Sequence, residues 1–596
     1  MNKYWTAIAA ATALGTIAGI AAATPPAQAA ADGAVVATDK GSVRGTVAKD
    51  HREFLGIPYA APPVGKLRWA SPRPAAAWKT VRNATKPGNR CAQQAGLLSP
   101  TGEKESTTED CLYLNVTTPR HAPKGKKLPV MVWIHGSGFR NGAGALYRPA
   151  EMVARDDVIV VTVNYRLGMF GFLAHRAFDK AGNGSGNFGL EDQQAAMRWV
   201  QRNAGAFGGD ARNVTIFGES AGGVSTCSQL VSPQSAGLFQ RAIVQSGPCT
   251  RAPGDWPEFD GSRGDADSWL PHARPAAERL GKDVAAKLGC PDPATAASCL
   301  RALPVQKVLK ESGYGFTPTY GGGGVLPTAP NKAYATGKFH RVPVMQGITR
   351  DEYRLFQALG EEFSGEKLDK AGYESHVKAY VGAKRAPEVL KRYTLKKYGS
   401  YSVAWSAIVT DASFGRASTE QRLALQKRVP TYSFEFADAS APLGRRLQGA
   451  RVPHGRLPRR RTPLPLQHRL LHRPPPERPA AEAVPPDDGL LDPFRPDRKP
   501  ERPRHPDLAP RPVRPVPLPQ RHPPDQLRPV PRLHLLAHLL THPSMPRPPG
   551  GASAVKRSFR RNSPTSSAIA SVVYSVQVWV STSSRSNPRC DSGSTP

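Results

Sequence analysis

The sequence predicts an α/β fold, a mostly parallel central sheet flanked by helices, and three observations carry that prediction. Residues 130–134 and 158–163 are near-continuous apolar runs, as expected of central strands covered on both faces. Residues 213–217 form a third run, β-branched and aromatic, followed at once by Gly218-Glu219-Ser220-Ala221-Gly222 and a segment of helical character. Between the second and third runs, residues 191–207 have helical character with acids in the first turn. Strands alternating with helices make parallel pairing the natural architecture.

The turn at Ser220 is the most informative element. A strand that bends sharply into a helix needs small residues on both sides of the bend, and Gly218 and Gly222 supply them. Such a turn lifts the Ser220 hydroxyl clear of the sheet and sets it near the positive end of the helix dipole. A serine so placed is a candidate nucleophile.

The chain has 596 residues, enough for one large α/β domain or several ordinary ones. Its start has the pattern of a secretory signal over residues 1–29: Lys3, an apolar stretch from Ala7 to Ala23, and Ala27-Gln28-Ala29 as a cleavage site. The expectation is export with removal of the segment, and no second apolar run is long enough to span a bilayer. An exported chain with seven cysteines permits disulfides. Cys91 with Cys111, and Cys290 with Cys299, would each close a short loop, whereas Cys227 and Cys249 could stay as buried thiols. Spacing alone does not decide the pairing.

The net charge of +34 invites a nucleic-acid reading, but half of it lies after residue 444. Residues 445–550 hold 28 of the 60 prolines and 20 arginines, one lysine (Lys499), one aromatic (Phe494) and no isoleucine. Such a segment cannot bury a core, and it is expected to be disordered, as is the tail at 551–596. It also has almost no aromatics on which bases could stack, which argues against a nucleic-acid function. GC-rich DNA read out of frame yields this Arg, Pro, Leu and His composition. Read from the second base of each codon, residues 457–473 permit Y-H-G-A-E-L-P-Y-L-F-N-T-D-Y-F-T, and residues 487–502 permit M-M-A-Y-W-T-R-F-A-R-T-G-N-P-N. Two globular readings in one frame and in sensible order point to a frameshift near residue 445.

Residues 33 to about 444 resemble a type-B carboxylesterase, a member of the α/β-hydrolase superfamily. The resemblance rests on Phe54-Leu55-Gly56-Ile57-Pro58-Tyr59-Ala60, Glu109-Asp110-Cys111-Leu112-Tyr113-Leu114-Asn115-Val116, Asn164-Tyr165-Arg166, the stretch from Gly186 to Gln193, and Phe217 through Gly222. It implies an α/β-hydrolase domain over 30–444, C-terminally incomplete, and disulfides Cys91–Cys111 and Cys290–Cys299. It further implies a serine ester hydrolase that acts on small-molecule esters without metal or cofactor and with no nucleic-acid or membrane partner. Some family members are non-catalytic adhesion proteins, so a binding relative is the competing expectation.

Ester hydrolysis needs a nucleophile, a base, a group to orient the base, and donors for the oxyanion. Ser220 is the nucleophile. The oxyanion donors are expected from Ala221 and from Ser137 and Gly138, in the glycine-rich stretch His135-Gly136-Ser137-Gly138-Phe139 that follows the 130–134 strand. Ser137 stands where the family usually has a glycine, and a side chain there narrows the allowed backbone angles. By resemblance the orienting acid is Glu352, after the strand expected at 342–346, with Asp351 as its solvated neighbour. Glu219 and Ser246 are expected to support the serine from behind. The base is missing. The family's G-x-x-H-x-x-E pattern does not occur after Glu352, whereas the shifted frame encodes a histidine overlapping Pro458.

Overall fold

The computed structural model describes residues 33–438 except 96–103, 122–124, 181, 251–269 and 314. The expected signal segment, the Pro/Arg-rich stretch at 445–550 and the tail at 551–596 lie outside the described residues.

The centre is a nine-stranded sheet. In chain order its strands are β1 (Thr46–Val47), β2 (His51–Pro58), β3 (Tyr113–Pro119), β4 (Leu128–Ile134), β5 (Ile159–Val163), β6 (Gly209–Glu219), β7 (Arg241–Gln245), β8 (Val344–Thr349) and β9 (Thr431–Phe436). Their spatial order is β9-β8-β7-β6-β4-β5-β3-β2-β1. The run from β9 to β5 is parallel throughout, and β3, β2 and β1 continue it antiparallel. The sheet is therefore mixed, with its parallel part where the sequence placed the central strands.

Strand β4 explains the unbroken apolar runs. Val130, Val132 and Ile134 enter the main core, while Met131 packs on the opposite face with Val158, Val160, Ile243 and Met345. Period-2 alternation sends both sets into cores, so neither face of the strand can be polar. Helix α1 (Phe188–Asn203) precedes β6 and ends in a 3₁₀ turn over Ala204–Phe207. It begins three residues before the first acid because Phe188 and Leu190 are themselves buried in the main core. Helix α2 (Ala221–Val231) follows β6 directly, and every one of its residues is buried.

After β8 the chain builds a helical layer with its own core. Helices α3 (Arg354–Ser364), α4 (Lys370–Val381), α5 (Ala386–Arg392) and α6 (Tyr401–Val409) collect Tyr353, Tyr373, Val377, Ala386, Trp405 and Ile408 into one cluster. A π-helical turn, Thr410–Gly415, joins α6 to α7 (Arg416–Gln426), which returns to the main core through Leu425. Among the described residues, no helix is long and apolar enough to cross a membrane.

Cys91 pairs with Cys111 and Cys290 with Cys299, at Cα separations of 4.8 and 5.7 Å. Cys227 and Cys249 are also paired, with Cα atoms 6.0 Å apart, and are not the free buried thiols the sequence left room for. Cys227 lies on α2 and Cys249 just beyond β7. The two meet because parallel pairing of β6 with β7 brings the ends of both strands together. A non-reducing peptide map is expected to show Cys227 cross-linked to Cys249. Replacing both by alanine should lower stability by about 3 kcal/mol, the usual value for a loop of this length; recovery of two free thiols would refute the pairing.

Candidate active site

Ser220 is the single residue between β6 and α2, with φ 56° and ψ −124°. An L-residue held there carries strain of about 1–3 kcal/mol, so its surroundings must over-determine it. Two backbone bonds do so: the Ser220 N–H donates to Gln245 O at 2.9 Å, and Val224 N–H donates to Ser220 O at 2.9 Å. The flanking glycines are required by contact. A Cβ on Gly218 would sit 2.7 Å from Ile134 O, and one on Gly222 would overlap Ile134 O and come within 2.9 Å of His135 O. The elbow thus leans on the end of β4.

Strand register sets the rest at the same level. Glu219 pairs with Gln245 and Gln245 with Gly347, so Ser220 and Ser246 leave β6 and β7 level with Ile348, near the C-terminal ends of three adjacent parallel strands. In open α/β sheets that edge is where ligands bind. Ser246 has φ 49° and donates its N–H to Gly347 O at 2.8 Å, which fixes the neighbouring strand end.

The loop after β4 approaches from the other side. Ser137, Gly138 and Phe139 have φ of 71°, 62° and 60°, three left-handed residues in succession. Phe139 is fully buried against Phe172, and Tyr165 OH donates to His135 O at 2.7 Å, which anchors both ends of the loop. Gly136 is pressed against the serine: a Cβ there would lie 3.1 Å from Ser220 Cβ and 2.6 Å from Glu219 O. Sequence reasoning missed this contact, which only the β4–β6 pairing creates. Among the described residues no group accepts a hydrogen bond from the N–H of Ser137, Gly138 or Ala221. His135 is buried and stacked on Tyr165, and burial lowers its pKa to about 4, so the ring is neutral.

Two carboxylates, Glu352 and Glu219, are the remaining candidates. Glu352 accepts the Thr349 N–H on Oε1 at 2.8 Å. Its neighbour Asp351 instead pairs with Arg350 and Arg354 at 2.9 and 3.0 Å, in a partly exposed charge cluster. Glu219 is half-buried; desolvation of its carboxyl first, and the charge of Glu352 second, push its pKa up to about 7. A carboxyl whose folded pKa is raised holds a proton that the unfolded chain has released. Stability therefore falls as pH rises from about 4.5 to about 7. Glu219→Gln is expected to flatten that decline, as read from melting temperatures across the same range; an unchanged slope would refute it.

Among the described residues no histidine is hydrogen-bonded to Ser220, and the Ser220 hydroxyl has no protein partner. His51 pairs with Asp50, His340 with Ser232 O, and His376 meets Trp405 edge to face. Among the described residues no cluster of three or more His, Cys, Asp or Glu could hold a metal ion.

Comparison with known proteins gives one consistent result. A profile of the carboxylesterase family matches residues 32–456. Para-nitrobenzyl esterase of Bacillus subtilis (strain 168) is 36% identical over 406 residues, covering 67% of this chain and 78% of that protein. Cocaine esterase of Oryctolagus cuniculus is 34% identical over 417 residues, covering 66% and 73%. A solved structure of PNB esterase superposes with a TM-score of 0.55 at 33% identity, over 67% of this chain and 79% of that one.

Proposed function

Because the chain belongs to the carboxylesterase family and is a carboxylic-ester hydrolase by that membership, we propose that its chemistry is acyl transfer through Ser220. One observation carries the reading: a strained serine at a strand-to-helix turn, with unpaired amides beside it and Glu352 just beyond the end of β8, two strands over. In this mechanism Ser220 Oγ attacks the ester carbonyl carbon and gives up its proton to a histidine base. The N–H groups of Ser137, Gly138 and Ala221 take the charge that develops on the carbonyl oxygen. The alcohol leaves with the proton, and water attacks the acyl-serine by the reverse path, releasing the acid and regenerating Ser220. Glu352 orients the histidine and balances its positive charge. Glu219 and Ser246 hold the serine turn from behind.

The histidine belongs to the shifted frame, over the codon of Pro458, and the chain as written lacks it. A second reading follows from the absence of a histidine bonded to Ser220 among the described residues: the chain as written is the inactive product of a disrupted gene. We further infer export after cleavage near Ala29, and substrates of the small ester class that the relatives' names indicate. Resequencing codons 437–456 from source DNA decides between the readings. A corrected frame should yield a protein that a fluorophosphonate labels on the Ser220 peptide. An unlabelled corrected protein would overturn the esterase mechanism and favour a binding relative.

A further inference from the structure

The π-helical turn between α6 and α7 takes no direct part in the acyl transfer. Residues 401–426 form one continuous helical run interrupted only by Thr410–Gly415. A π-turn carries one extra residue, which rotates the faces beyond it by roughly 100° relative to an unbroken α-helix. The rotation has a visible purpose. Before it, Ala404, Trp405, Ile408 and Val409 face the helical-layer core; after it, Leu425 faces the main core and Gln421 accepts the Cys249 N–H at 3.2 Å.

The turn is held firmly. Tyr393 OH donates to Asp411 Oδ2 at 2.8 Å, and Tyr380 OH and Ser413 Oγ are 3.0 Å apart. Thr410, 2% exposed, uses its hydroxyl oxygen to accept the Tyr353 N–H at 3.1 Å. A helical threonine more often bonds back to its own preceding turn. Here it reaches the residue directly after Glu352. The glutamate is then gripped on both sides, by the Thr349 amide at its carboxylate and by Thr410 at the next peptide.

We propose that Thr410 is a positioning residue that sets Glu352 in place from the π-turn, through the Tyr353 amide. The proposal rests on Glu352 being the orienting acid. π-turns recur at functional sites, and this one fixes the segment that carries the acid to the joint between the two cores.

The test is amide exchange at Tyr353 in the full-length chain, unmodified and as Thr410→Val and Thr410→Ser. The Tyr353 amide is expected to be protected in the unmodified chain. Its exchange should accelerate by about tenfold or more in Thr410→Val and stay within about twofold in Thr410→Ser, while α4 is unaffected. An unprotected Tyr353 amide in the unmodified chain overturns the proposal even if the valine variant does not fold. Equal exchange in the valine variant and the unmodified chain overturns it as well. In the frame-corrected protein, Thr410→Val should lower kcat about tenfold with KM within about twofold, and serine should restore it. Lost protection with unchanged kcat would reduce Thr410 to a structural role and overturn the proposal. Absence of turnover in the frame-corrected parent would refute the esterase mechanism, and the exchange result would still decide whether Thr410 holds the Glu352 segment.

Discussion

Correcting the reading frame is expected to raise ester turnover by about 10⁴-fold or more over the chain as written, and Ser220→Ala in the corrected protein should remove the gain. The magnitude follows from the roles. A serine hydroxyl without its base remains protonated, and removing either partner of such a unit costs about as much as removing both. Release of p-nitrophenolate from a short-chain ester measures the effect directly. Turnover that survives Ser220→Ala would place the chemistry elsewhere. No gain on correction would mean that the domain over 33–438 lacks more than a histidine.

The second large effect is expected from one methyl group. Gly222→Ala would push a Cβ into Ile134 O, at the point where the elbow rests on β4. Neither atom can yield, because Ile134 is paired on both sides, to Val163 and Gly218. A destabilisation of about 3 kcal/mol is expected, with activity of the frame-corrected protein reduced by about 10²-fold as Ser220 shifts. Gly360→Ala is the control: it lies within α3, and nothing stands within 4 Å of the added atom. It should be neutral or mildly stabilising. Equal melting temperatures for Gly222→Ala and the parent would show that the elbow has slack the contacts do not reveal.

The parts of this fold that were legible in sequence are those where burial is two-sided or a bend demands glycine. Strands β4, β5 and β6 announced themselves through apolar runs, and the serine turn through Gly218 and Gly222. Boundaries were less legible: β6 starts at Gly209, before its apolar run begins, because Gly209 pairs with Leu128. The Cys227–Cys249 pairing and the pressure of Gly136 on Ser220 were not legible, since both arise from strand order and leave no local pattern. The helical layer was equally hidden. Its aromatic core is scattered over more than fifty residues, and its π-turn has no compositional mark. For the acid, sequence left Glu352 beside Asp351; in the structure Glu352 accepts the Thr349 N–H, while Asp351 pairs with two arginines.

Strand β9 carries a consequence for handling this protein. Among the described residues it is the last strand of the sheet, bonded on one side to β8. Its sequence, Thr-Tyr-Ser-Phe-Glu-Phe, has high strand propensity and contains neither lysine nor proline. Natural edges carry such residues to prevent intermolecular pairing. Left uncovered, an edge of this composition would be a template on which a second chain could extend the sheet. On the frameshift reading, a continuation that covers β9 would act as a shield as well as a source of chemistry, and losing it would favour aggregation.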